Sequence, residues 1–265
     1  MKTIIGLYLS FLGLFSLQAQ APVPGAPPEV RSAYVLSLKD FGSEDIAYLS
    51  LPQTAPEIAV VVLPGLTGLS KETKAKCDFL ASQGFIVLAL DLFNGQVPRD
   101  EAEALRMQSE VRADSAAKTI DAGRRFFAES PRFKTGKAVL MSWTATAAMA
   151  LHVSSTVKDL SGLILVEPWL KKGEKIEHPK IPTLLVCSQN DPGGQWLYGE
   201  LKAQGLDRKL LTPVMVPANP GFMVMDKSEL AHGEIWGSVV EFIRNCAKNS
   251  PSEKGLFNKL SGLIE

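Results

Sequence analysis

Residues Lys137 to Ala147, KAVLMSWTATA, form the segment of this chain best suited to covalent acyl chemistry. An apolar run, Ala138 to Met141, leads into very small residues and then an Ala-rich helical stretch, Ala145 to Val153. This is the frame of a nucleophile elbow, a sharp strand-to-helix turn that lifts one side chain above a sheet edge. Ser142 fills the small position two before the tip, and Thr146 the one two after. The tip is Thr144, where such turns carry Ser, Cys or Asp. Threonine brings a hydroxyl, but its branched Cβ resists the positive φ that such a tip adopts. The turn is therefore expected either to store about 1–3 kcal/mol of strain or to relax and lower the hydroxyl. Ser142 is expected to point beneath the turn.

The elements that must position this turn follow from the apolar pattern. Short continuous apolar runs occur at Ile58 to Leu63, Phe85 to Leu90, Ala138 to Met141, Leu163 to Val166, Thr183 to Cys187 and Leu211 to Val216. Such runs suit strands covered on both faces. Tyr34 to Leu38 and Ile46 to Leu51 suit an antiparallel pair broken at Gly42 and Ser43. Helical spacing appears at Lys74 to Gln83, Ser115 to Ser130 and Glu234 to Cys246. Alternation of strands and helices predicts an α/β fold: a mostly parallel sheet of about eight strands with helices on both faces. Right-handed crossovers would place the strand C-termini, and any site, along one edge.

The flanks are different in kind. MKTIIGLYLSFLGLFSLQAQ has a basic start, an apolar stretch from Ile4 to Leu17 and small residues for cleavage after Ala19 or Ala21. It predicts a signal peptide over residues 1–19 and export to a periplasmic or extracellular space, with no membrane span in the mature chain. Residues 20–30 read as a Pro-rich leader, 31–248 as one domain and 249–265 as an amphipathic extension. The last segment suits packing back on the domain, or a dimer or membrane-surface contact. Formal net charge is +0 and there is no basic run, which argues against nucleic acid as a partner. Cys187 and Cys246 read as core residues, and no spacing suggests a disulfide framework or metal site. No phosphate loop or dinucleotide fingerprint is present, so no cofactor is expected.

Three stretches carry a resemblance to a known family. They are IAYLSLPQTAPEIAVVVLPGLTGLSKETKAKCDFLASQGFIVLALDLFNGQ, KAVLMSWTATAAMAL and IPTLLVCSQNDPGG. Together they make the chain similar, from about Ile46 to Asn245, to the dienelactone hydrolase family of the α/β-hydrolase fold. That family's elbow reads Gly-x-Cys-x-Gly-Gly, which here becomes Ser142-Trp143-Thr144-Ala145-Thr146-Ala147. The resemblance lays the nucleophile on Thr144 and the triad acid on Asp191. It lays the triad histidine on Pro220, just before Gly221-Phe222, and a loop glutamate on Gly65. It also assigns the backbone N–H groups of Leu66 and Ala145 to an oxyanion hole.

These substitutions split the functional expectation. A nucleophile needs a base within hydrogen-bond reach, and proline cannot take a proton. The main expectation is a family member without hydrolase activity, whose remnant pocket (Gly65, Leu66, Trp143 and Ala145) binds a small carbonyl or carboxylate ligand, or a protein partner. The alternative is an active ester or lactone hydrolase with a rearranged Thr144, Asp191 and His232 triad. A third reading has Trp143, Met223 and Met225 filling the pocket. Of the other histidines, His152 is expected to be packed or partly buried, too deep in its helix to reach the tip, and His178 to be solvated in a loop. Asp191, in Gln-Asn-Asp-Pro-Gly-Gly, also suits a plain turn.

Overall fold

The computed structural model describes residues 32–248 apart from 57, 131–134, 158, 171–175, 207–209 and 222–228. The expected signal peptide, the leader through residue 30 and the C-terminal extension lie outside the described residues. So do Met223 and Met225. Within the described residues no helix is long and apolar enough to cross a membrane.

Eight strands form one sheet: β1 (Ser32–Ser37), β2 (Ile46–Leu51), β3 (Ala59–Leu63), β4 (Ile86–Leu90), β5 (Ala138–Trp143), β6 (Leu160–Val166), β7 (Thr183–Ser188) and β8 (Leu211–Val216). Their order is β1-β2-β4-β3-β5-β6-β7-β8. β1 pairs antiparallel with β2, and β2 with β4; every later pairing is parallel. Gly42, at φ 97, closes the single 3-10 turn between β1 and β2. A left-handed backbone of this kind suits a residue without Cβ.

The helices are α1 (Lys71–Ser82), α2 (Glu101–Glu110), α3 (Ala113–Glu129), α4 (Ala147–Thr156), α5 (Pro192–Ala203) and α6 (Glu229–Lys248). Side chains alternate across each strand, so the sheet has two cores. Val61, Leu63, Leu88, Leu140 and Leu185 pack with Ile120, Phe127, Leu151 and Leu197 from α3, α4 and α5. Val60, Val62, Val139, Met141 and Val186 pack with Cys77, Leu80, Ile235 and Ile243 from α1 and α6. Because β3 to β8 run parallel, their C-terminal ends share one edge, and the loops from that edge carry the site.

The expected strands and the three expected amphipathic helices are present with small shifts of boundary. Two helices, α2 and α5, come from segments that show no clear apolar stripe. The Ala-rich stretch after the elbow starts later than expected, because a 3-10 turn, Thr144–Thr146, precedes α4.

Candidate active-site cleft

β5 stops at Trp143, and the chain then turns through Thr144 at φ 47. Of the two outcomes open to this elbow, the structure takes the strained one. A β-branched residue in the left-handed region costs about 1–3 kcal/mol and persists only where its surroundings over-determine it. Those surroundings are visible. Thr146 Oγ1 donates to Leu63 O at 3.3 Å and to Trp143 O at 3.0 Å, tying the far side of the turn to β3 and β5. The Thr144 carbonyl accepts from Trp169 N–H at 3.0 Å and from the Ala147 N–H that closes the 3-10 turn. Ser142 lies fully buried under the turn, as its position predicts.

Gly65 explains much of the local geometry. It follows β3 and faces the elbow. A Cβ at this position would collide with Thr144 Oγ1 and lie 2.8 Å from Trp143 O. The side chain that the resemblance places here therefore has no room while Thr144 stands as it does. Thr144 Oγ1 itself is buried and has no hydrogen-bond partner among the described residues.

Above the elbow lies a cleft of about 450 Å³, within the usual range for small-molecule sites. Gly65 and Leu66 line it from the β3 loop, Trp143 and Thr144 from the elbow, and Lys76 from α1. Glu167 and Gly221 line it from the loops after β6 and β8, and Val97, Arg99 and Ala104 from the segment entering α2. Among the described residues the cleft is unfilled, and Trp143 forms part of its wall. Ala145 lies on the other side of the elbow and lines a neighbouring groove with Met149, His152 and Trp169.

Charged residues of both signs line the cleft, Glu72, Lys76, Arg99, Asp100, Glu101 and Glu167, and none was legible from the sequence. Lys76 Nζ lies 5.4 Å from the centroid of the Trp143 ring, a cation–π distance. Burial pulls its ammonium below the ordinary lysine range, against the opposing field of Glu167. Glu167 is only 7% exposed and also adopts positive φ, 47°. Its N–H donates to Val186 O at 2.7 Å, and its carboxylate accepts the Gly221 N–H. This carboxylate thus ties the loop after β8 to the end of β6. The one sequence signal was a charged residue directly after an apolar strand, in LILVEPW.

The remaining candidates are placed as follows. Asp191 ends the turn after β7 and is the N-cap of α5, its Oδ1 accepting from Gly193 N–H at 2.9 Å. It does not line the cleft. Pro220 is exposed in the turn after β8. His232 lies in the first turns of α6, and its side chain lies outside the described residues. Among the described side chains no imidazole lines the cleft. His152, expected to be packed, is exposed and meets Glu177 Oε1 at 3.0 Å; α4 turns it outward to the loop before β7. His178, expected to be solvated, is half-buried, and its Nδ1 is enclosed with no partner among the described residues. Burial pushes the Cys187 and Cys246 thiols up to about 11 and about 12, consistent with inert core residues.

The comparisons agree with this geometry at the level of fold and family. No protein in the curated set matches the chain. Among solved structures, a Klebsiella pneumoniae protein assigned as a dienelactone hydrolase superposes with a TM-score of 0.68 at 16% identity, covering 80% of this chain and 98% of its own. A dienelactone hydrolase-like promiscuous phosphotriesterase from metagenomic libraries gives 0.66 at 15%, covering 82% and 99%. The dienelactone hydrolase of Anabaena variabilis gives 0.62 at 13%, covering 81% and 97%. At these identities the likeness is one of fold. The sequence profile of the dienelactone hydrolase family matches residues 46–195, more than half of the chain, from β2 into α5. With its elbow between β5 and α4 and its cleft at the shared strand edge, the chain belongs to the dienelactone hydrolase family.

Proposed function

We propose that the protein is an exported member of this family that does not carry out ester or lactone hydrolysis, and that its cleft binds a small carbonyl- or carboxylate-bearing ligand. The observation that carries this reading is the Thr144 hydroxyl, buried at the crown of the elbow with no hydrogen-bond partner among the described residues. An alcohol is a weak nucleophile at neutral pH and gains reactivity from a base in contact with it. Loss of the base alone lowers turnover by about 10⁴–10⁶ in well-studied serine hydrolases. The Asp191 carboxylate is engaged in capping α5, and the position of the family histidine is an exposed proline. The binding part of the site needs none of these side chains. Its backbone donor would be the Leu66 amide, in the β3 loop that lines the cleft. Export rests on the character of residues 1–19.

The test is a hydrolysis screen over simple esters and small lactones on purified mature protein, run beside Thr144→Ala and His232→Ala. The expected result is no turnover above that of Thr144→Ala, together with a rise in melting temperature in the presence of lactones or carboxylates. Saturable hydrolysis lost in both variants would overturn the proposal in favour of a rearranged site that uses Thr144 and His232.

A further inference from the structure

α2 is attached to the fold differently from the helices around it. α1 is tied to β2, where Tyr48 Oη and Ser50 Oγ donate to Asp78 Oδ1 at 2.8 and 2.7 Å. α3 is tied through Arg124 to Asp159 and through Arg125 to the Phe41 carbonyl, at 2.9 and 3.0 Å. α4 is tied through His152 to Glu177. Among the described residues, no hydrogen bond or ion pair joins residues 97–111 to another part of the fold. Their polar side chains serve the segment itself. Arg99 meets Glu103 at 3.0 Å, Arg106 meets Glu110 at 2.7 Å, and Asp100 Oδ1 accepts the Glu103 N–H at 2.8 Å. These contacts keep α2 helical without fastening it to anything. The helix buries only Ala104 and Met107, and cavities lie along its inner side. Ala104 lines the cleft, Leu105 and Gln108 line the neighbouring groove of about 470 Å³, and Met107 lines a third cavity of about 240 Å³. Gln108 Oε1 is enclosed with no partner among the described residues. An acceptor in that state favours any movement that returns it to water. At the two ends, Asp100 (φ −151, ψ 175) and Val111 (φ −66, ψ 114) are extended, which breaks the helix cleanly from its neighbours.

We propose that α2 is a lid. It swings outward as a folded helix about its extended ends, with the enclosed Gln108 amide favouring the open position, while the sheet and the other helices stay closed. Segments with few buried apolar contacts open at the low end of the stability scale, and end residues that absorb the rotation are the usual hinges. Because α2 walls both the cleft and the groove, one movement widens both. The lid controls entry whatever chemistry the cleft performs.

Thiol labelling of the folded protein with a small aromatic disulfide tests this. The native Cys77, Cys187 and Cys246 are buried, so a cysteine added to the inner side of α2 reports its opening. Ala104→Cys should react at least about tenfold faster than Ala150→Cys in α4, although both positions are buried. Its rate should hardly change with denaturant below the unfolding transition, because a swinging helix exposes little surface, whereas the rate at Ala150→Cys should rise steeply. Adding Gln108→Met, an apolar chain of similar length, should slow labelling at Ala104→Cys by about tenfold. Equal rates and equal denaturant dependence at the two positions would overturn the lid, since α2 would then open only with the whole fold. A steep dependence at Ala104→Cys alone would overturn the swing in favour of local unfolding of α2. Unchanged labelling in the Gln108→Met background would overturn the part assigned to the amide.

Discussion

The turns that end β5 and β7 sit on the same sheet edge and have diverged in opposite ways. After β5 the backbone keeps the strained shape of a nucleophile elbow, with Thr144 at φ 47, but its hydroxyl has no partner among the described residues. After β7 the backbone is relaxed and Asp191 offers suitable chemistry, but its carboxylate is engaged at the N-terminus of α5. The first turn keeps the geometry of an elbow with no partner for its hydroxyl among the described residues, and the second uses its carboxylate as a structural cap. Strain at the first turn is therefore held by packing around it.

The sharpest way to break the comparison is at Gly65. Gly65→Ala introduces a Cβ into the space of Thr144 Oγ1 and Trp143 O, and should destabilise the protein by about 1–3 kcal/mol in denaturant unfolding. The double variant with Thr144→Gly should recover part of that loss, because the collision with the hydroxyl is gone while the contact with Trp143 O remains. An unchanged unfolding midpoint in Gly65→Ala would show that the elbow yields easily and is not held by packing. At the other turn, Asp191→Ala should cost about 1 kcal/mol, the usual value of a helix N-cap, whereas Asp191→Asn should cost little. A large loss in Asp191→Asn would mean that its negative charge matters beyond the cap. The smallest effect has the opposite sign. Thr144→Gly removes the cost of a branched residue in the left-handed region, about 1–2 kcal/mol, against an entropy penalty of about 0.5–1 kcal/mol for glycine. A net gain of about 0.5–1 kcal/mol should appear as a higher unfolding midpoint; a loss would mean that packing of the threonine methyl outweighs the strain.

The sheet and the elbow were legible because each rests on a local pattern. The runs AVVVL, IVLAL and LILV can be read as buried strands without knowing their neighbours, and the small residues around Thr144 mark a tight turn by themselves. α2 was not legible because EAEALRMQSE buries only Ala104 and Met107, too few for an apolar stripe. α5 was not legible because Pro192-Gly193-Gly194 reads as a turn. Proline is at home in a first helical turn, and Gly194 is needed where a Cβ would lie 2.6 Å from that of Cys187. Lys76 and Glu167 escaped for a different reason. They are far apart in sequence and line one cleft only in the folded chain. No residue type announces that a glutamate will adopt positive φ.

The crowding at Gly65 also dictates an order of events. A side chain cannot be added at that position until the Thr144 hydroxyl has moved aside, so the two substitutions cannot be reversed in either sequence with equal ease. A glutamate introduced first would meet both the Thr144 hydroxyl and Trp143 O; changing residue 144 first would leave only the contact with Trp143 O. The elbow thus behaves as a ratchet, and any side chain to be introduced at position 65 has to be preceded by a change at its tip.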